Sequence, residues 1–156
     1  MKTRDLQQLW WDWLGTSERL LRSLYEQTAA LTLRDVDRVE RLQPELDSLL
    51  TRMQIIDEEA AASARKLAEE MGTEPNLRSL VGALEKGEGQ QVQSIANRVT
   101  VAARNVQAVL DKNRALINNE LTFATGTLAL MAKAAGEQQG SFGGSSRAAV
   151  LVNQVA

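Results

Sequence analysis

The chain has 156 residues, with 18 Lys and Arg, 20 Asp and Glu, and a formal net charge of −2. It contains no Cys and no His, which excludes disulfides, thiolate metal sites and catalysis by the commonest general base. A slightly acidic chain with 4% aromatic residues also lacks the basic surface and the stacking side chains that nucleic-acid binding normally requires.

The first predicted element is an amphipathic helix over residues 3–31, because apolar positions there alternate spacings of three and four residues. The N-terminus carries no secretory signal, which favours a cytoplasmic protein. Trp11 lies about 100° around the helix from the apolar seam, so we expect it at the end of a bundle or at an interface. The predicted buried seam is Leu6, Trp10, Trp13, Ser17, Leu20, Leu24, Gln27 and Leu31.

A second helix is predicted to run to Met71, with Thr32 as its N-cap and Asp35 in its first turn. Pro44 interrupts this helix and leaves two alternatives. The helix either bends near Pro44 with its seam preserved, which we favour, or restarts there. The predicted seam is Val39, Leu42, Leu46, Leu49, Met53, Ile56, Ala60, Ser63 or Ala64, Leu67 and Met71.

A break at residues 72–76 precedes a short helix over 76–84, which the two glycines of residues 86–89 are expected to end. The third long helix is predicted over residues 90–135. Its seam runs from Val92 to Asn113 and then shifts phase towards Ile117 and Leu121. Asn113, a polar residue on this seam, is typical of a side chain that sets helix register.

These segments predict an all-α fold: an elongated antiparallel helical bundle or coiled-coil hairpin. It has three main helices, a short connecting helix and a flexible C-terminal tail; we expect the second and third main helices to form its shaft, with the first packed along part of it. We place the bundle at residues 1–135, and a Gly- and Ser-rich linker with a short amphipathic segment at 136–156. Ala148, Leu151 and Val155 share one helical face. That segment can dock on its own bundle or fold against a partner.

The sequence offers no catalytic constellation. Asp57, Glu58 and Glu59 are consecutive, so on a helix they diverge and form a solvated surface rather than a carboxylate pair. No phosphate-binding loop or nucleophile elbow occurs in the chain. We therefore expect a protein that is not an enzyme and needs no cofactor and no metal.

Two stretches carry a resemblance to a known family. The first is Leu20-Leu21-x-x-Leu24-x-Glu26-x-x-x-Ala30-Leu31, followed by Arg34-Asp35 and a charged helix. The second is Asn113-Arg114-x-Leu116-Ile117-x-Asn119-x-Leu121-x-Phe123. Their order, the length of the chain and the tail with Ser141-Phe142-Gly143 resemble the FlgN family of flagellar export chaperones.

The resemblance implies a function in flagellar type III secretion. Members of the family bind the C-terminal helices of hook-associated proteins, prevent their early assembly and deliver them to the export gate. It also implies the export ATPase complex as a further partner. By position, the implied client-binding residues are Asn113, Leu116, Ile117, Leu121, Phe123, Leu151 and Val155.

The same resemblance implies a role for the tail in docking on the export gate. Family members often carry a Tyr-Gly pair where this chain has Phe142 and Gly143. Phe142 keeps the aromatic ring but lacks the phenolic hydroxyl, so a hydrogen bond from that hydroxyl is lost here.

One alternative from a different class is a structural coiled-coil adaptor or oligomerisation protein with no export role. In that case the tail packs permanently on the bundle, and self-association uses a surface such as Trp11. A membrane-surface protein fits poorly, because the tail carries only Glu137 and Arg147 as charges and has no basic face. We expect neither nucleic-acid binding nor membrane insertion.

Overall fold

The computed structural model describes residues 2–139, and side chains as far as residue 136. Within these residues the chain forms four α-helices and no strand, which confirms the all-α prediction. The helices are α1 (Arg4–Thr32), α2 (Val36–Met71), α3 (Leu77–Ala83) and α4 (Lys86–Gln139).

The predicted seams form the core. Sixteen of the buried apolar side chains that form it come from α1, α2 and α4, while α3 contributes Leu80 to the core near its own end of the bundle. Trp13 is buried and Trp10 is half-buried, so two of the three Trp residues pack inside. α2 runs through Pro44 without restarting, and Leu42 and Leu46 on either side are both buried. The seam of α2 is therefore preserved across the proline.

Helix α1 is the element against which both long helices pack most closely. It forms an antiparallel hairpin with α2 and runs parallel to α4. The direction of α4 follows from two contacts: Thr3 meets Glu88 at one end, and Arg34 meets Glu120 at the other. The two pairs are separated by 85 and 86 residues, so α1 and α4 keep one register along their whole contact. We expected α2 and α4 to form the shaft; α1 is the central helix instead.

Helix boundaries differ from the predictions at three places. Asp35, not Thr32, caps α2, because its carboxylate accepts a hydrogen bond from the backbone N–H of Arg38. The glycines of residues 86–89 begin α4 rather than ending α3. Gly89 permits a close approach there, because a Cβ would lie 3.1 Å from the carbonyl oxygen of Val81. At the far end, α4 continues four residues beyond the expected boundary at Ala135.

Candidate functional site

Asn113 is the most buried polar side chain in the middle of α4, with 2% of its surface exposed. Its amide donates to the carbonyl oxygen of Leu24 and to Oε1 of Gln27, both at 2.9 Å. Its Oδ1 accepts a 2.6 Å hydrogen bond from the hydroxyl of Thr28. These bonds satisfy the side chain inside the bundle and fit the register-setting interpretation. A direct role of Asn113 in binding a client stays a prediction.

Helix α4 extends beyond the ends of its two neighbours, α1 and α2. α1 ends at Thr32 and α2 begins at Val36. α4 reaches the level of this turn at Glu120, which contacts Arg34, and continues to Gln139. Residues 121–139, here called the α4 extension, add about 28 Å of helix at 1.5 Å per residue. Within residues 2–139, neither helix of the hairpin reaches alongside this segment.

The α4 extension carries apolar side chains on two sides, because Phe123 and Leu130 lie about 160–180° around the helix from Leu121, and Met131 lies between the two sides. Leu121 and Leu128 continue the core seam and are half-buried. Phe123, Leu130 and Met131 are exposed, and 55% of the Phe123 surface is accessible. Lys133 is the only charged residue between positions 121 and 136. An amphipathic partner helix can cover such a stripe through apolar contacts alone.

Arg34 connects the α1–α2 turn to the start of the extension. Its Nε lies 3.1 Å from Oε1 of Glu120, and its Cζ lies 4.5 Å from the centroid of the Phe123 ring. The pair with Glu120 is the only ion pair among the described residues. Arg34 therefore holds the extension against the turn through one ion pair and one cation–π contact.

Arg34 is also the only non-glycine residue with a positive φ, 56°, in the described part of the chain. The backbone N–H of Asp35 bonds to the carbonyl oxygen of Ala30, and that of Arg34 bonds to Leu31, as in a Schellman motif. Glycine normally occupies this left-handed position, and a larger residue costs about 1 kcal/mol there. The unfavourable backbone conformation therefore occurs at the residue whose side chain contacts α4.

Two large apolar side chains flank Arg34 and contact little of the bundle. Leu33 is 72% exposed and Val36 is 64% exposed. No sequence pattern indicated a binding role for Leu33, Arg34 or Val36. Apolar residues on both sides of the polar pair Arg34-Asp35 were the available signal.

The structure brings some of the implied client-binding residues together and separates others. Leu116 and Ile117 are half-buried and pack against Ala30, Leu31 and Val39 at the end of the bundle. Leu121 and Phe123 begin the α4 extension. The remaining implied residues, Leu151 and Val155 for the client and Phe142 and Gly143 for the gate, lie outside the described residues.

Trp11 is 46% exposed, as expected from its position off the seam. The Cζ of Arg98 lies 5.6 Å from the centroid of the Trp11 ring. The two side chains line a shallow groove of about 580 Å³ between α1 and α4, together with Gln7, Gln91 and Ser94. This groove lies near the end of the bundle opposite the α4 extension. An interface role for Trp11 stays a prediction.

Two carboxylates have shifted pKa values. Burial raises the pKa of Asp57, and the nearby indole N–H of Trp13, which makes no hydrogen bond of normal geometry, partly opposes the rise. The hydroxyl of Thr3 at 2.6 Å, followed by its backbone N–H at 2.9 Å, lowers the pKa of Glu88. Glu88 thus acts as a hydrogen-bond acceptor that anchors the start of α1 to α4.

In the part of the chain that the structure describes, acidic side chains do not gather into a group able to hold a metal ion. None of its helices is long and apolar enough to cross a membrane. Half of the large exposed apolar side chains of the described residues lie on the α4 extension and the turn beside it.

The family model described as FlgN protein matches residues 1–147. The chain belongs to the FlgN family. Members of this family are chaperones of flagellar export, so this FlgN-family chain is a component of flagellar biosynthesis. The FlgN family is a chaperone family and is not known as an enzyme family. Among curated proteins and solved structures, none matches the chain.

Proposed function

We propose that this FlgN-family chain is a cytoplasmic chaperone that binds the C-terminal helical segments of flagellar hook-associated proteins. It keeps these clients from assembling early and delivers them to the export gate. The family match supports a chaperone of flagellar export, and the α4 extension supplies the surface for the client. The observation that carries this proposal is the group of exposed apolar side chains on the part of α4 that extends beyond α1 and α2.

The chemistry of the surface fits an amphipathic helix. Upstream of Glu120, α1 and α2 cover the apolar seam of α4; downstream, Leu121 and Leu128 continue the same seam without either helix. A client helix that lies beside Met131, in line with α1, replaces the missing neighbours and contacts Phe123 and Leu130 on one flank and Leu128 on the other. Each large apolar side chain buried in this way contributes about 1.5–3 kcal/mol before the cost of association.

Binding is tested with a fluorescent peptide of the C-terminal helical segment of a hook-associated protein from the same organism. The double variant Phe123→Ser/Leu130→Ser should weaken its affinity by roughly 30-fold or more, since exposed anchors dominate binding energy. Val101→Ser removes an apolar residue with 55% exposure from another part of α4 and serves as the control. Equal affinities for the double variant and the control contradict the proposal.

Residues 140–156 are proposed to act in client retention and gate delivery. Deletion of this segment should weaken client binding or export and leave the helical content of the bundle intact. Phe142→Ala should reduce export and leave client affinity unchanged if Phe142 docks on the gate. Full client affinity and normal export of the truncated chain contradict both roles.

A structural coiled-coil adaptor with no export role is the competing function. The FlgN family match favours the chaperone, because the family is defined by export chaperones. Hydrogen exchange in residues 140–156 separates the two: a structural tail is protected without any partner. Trp11→Ala should change the oligomeric state of an adaptor that self-associates through this residue.

A further inference from the structure

We propose that the α1–α2 turn is a second part of the client-binding surface, with Leu33 and Val36 contacting the end of the client helix. This inference rests on the proposed function and assigns residues outside the C-terminal part of the chain. Its basis is the position of the turn beside the first turn of the α4 extension.

The exposed apolar residues of the chain are unevenly placed. Five of the ten large exposed hydrophobic residues lie at the end of the molecule formed by the turn and the extension. Leu33 and Val36 are more exposed than Phe123, although they precede it by about 90 residues in sequence. The five residues are Leu33, Val36, Phe123, Leu130 and Met131. Their clustering at one end joins the turn to the stripe on α4.

The fixed register of α1 and α4 determines which part of α4 lies beside the α1–α2 turn. Because α1 runs parallel to α4 and ends at Thr32, the space beyond it along α4 begins at the turn. Met131 lies on the same side of α4 as Asn113 and Glu120, which contact α1 and the turn, so a helix seated beside Met131 occupies this space end to end with α1. Its near end then lies against Leu33 and Val36, whose side chains no helix of the described residues covers.

Arg34 keeps the turn in place for this contact. Its side chain bridges to Glu120 and Phe123, which ties the position of the turn to the position of the extension. The positive φ of Arg34 makes this geometry costly for a residue other than glycine. The turn and the extension thus present their apolar residues as one preformed surface.

The occupant is the client helix, and two other occupants are outcomes of the test. A second copy of the chain would bury the turn by self-association. Residues 140–156 of the same chain could also fold back on it. The client helix is the occupant proposed here because the turn continues into the surface proposed for the client, where Arg34 contacts Phe123.

The test compares Leu33→Ser/Val36→Ser in the full chain with Ile55→Ser, which removes an apolar side chain of 50% exposure from α2. The labelled client peptide should bind the turn variant about five- to tenfold more weakly and the control unchanged. Thermal unfolding should be the same for both, because all three side chains are exposed. Light scattering reports the oligomeric state in parallel.

Three results overturn the inference. Unchanged peptide affinity of the turn variant contradicts it directly. A change of oligomeric state without a change of affinity assigns the turn to self-association. A gain of affinity assigns it to residues 140–156. The Phe123→Ser/Leu130→Ser variant is measured alongside. If it binds the peptide normally, the proposed client surface on α4 is itself wrong. If it loses binding while the turn variant binds normally, only the proposed role of the turn is wrong.

Discussion

The hydroxyl of Thr28 on α1 donates a 2.6 Å hydrogen bond to Oδ1 of Asn113 on α4. Both residues lie at the level where the hydrophobic core gives way to the end of the bundle. The amide of Asn113 donates to Gln27 in the same place, so this polar group has partners only in one register of the two helices. The register in turn decides where α4 emerges beyond the turn.

Asn113→Ala should lower the free energy of unfolding by about 2 kcal/mol, because it removes buried hydrogen bonds and leaves polar partners without a bond. Urea denaturation followed by circular dichroism measures the change. Asn105→Ala, at an exposed position of the same helix, should change stability by less than about 0.5 kcal/mol. Similar losses for both variants would show that the buried network adds nothing.

Arg34→Gly should loosen the start of the α4 extension without lowering global stability. Glycine relieves about 1 kcal/mol of backbone strain but removes the contacts with Glu120 and Phe123. Amide exchange at residues 118–124 should become faster, while urea denaturation shows equal or greater stability. Arg34→Lys keeps the strain and loses the planar group, so it should show faster exchange without the gain. Unchanged exchange in both variants contradicts the bridging role.

Gly89→Ala and Gly15→Ala should change stability in opposite directions. A Cβ at position 89 meets the backbone oxygen of Val81 at 3.1 Å, which forces α3 away from α4. No atom lies within 4 Å of a Cβ at position 15, so alanine there gains about 0.5–1 kcal/mol of helix propensity. Melting temperatures of the two variants give the comparison. A stabilised Gly89→Ala variant would contradict the close packing of α3.

The contact between Thr3 and Glu88 should make stability depend on pH. The pKa of Glu88 is lowered in the folded chain, so its contribution is present above the ordinary Glu pKa and is lost as pH falls through the lowered value. Glu88→Ala should therefore be less stable than the native chain at pH 7 and equally stable at strongly acid pH. Thermal unfolding across this range checks the convergence. A constant difference at every pH would show that the carboxylate charge is not involved.

The sequence was sufficient to predict which residues form the core. Heptad spacing identifies the face of each helix, and residues such as Leu20, Leu46 and Val92 are buried as their positions require. The same spacing does not identify the neighbour of each face or its direction. That depends on pairs such as Thr28 with Asn113, which are 85 residues apart and carry no periodic signal.

Two local features were also beyond the sequence patterns. Gly87 and Gly89 are typical helix breakers, yet they lie in the first turn of α4. At Gly89 the missing side chain allows close packing against Val81 of α3. Arg34 takes a conformation that usually indicates glycine, so the turn could not be recognised from residue type. Of the implied client residues, Phe123 is exposed as a binding residue requires, and Asn113 is buried.

The most direct test of the account is hydrogen exchange of the full chain with and without the client peptide. Binding on the α4 extension predicts slower exchange at residues 117–136 and at the α1–α2 turn, with the end around Trp11 unchanged. Protection confined to the Trp11 end, or no protection at the extension under saturating peptide, would contradict the central claim.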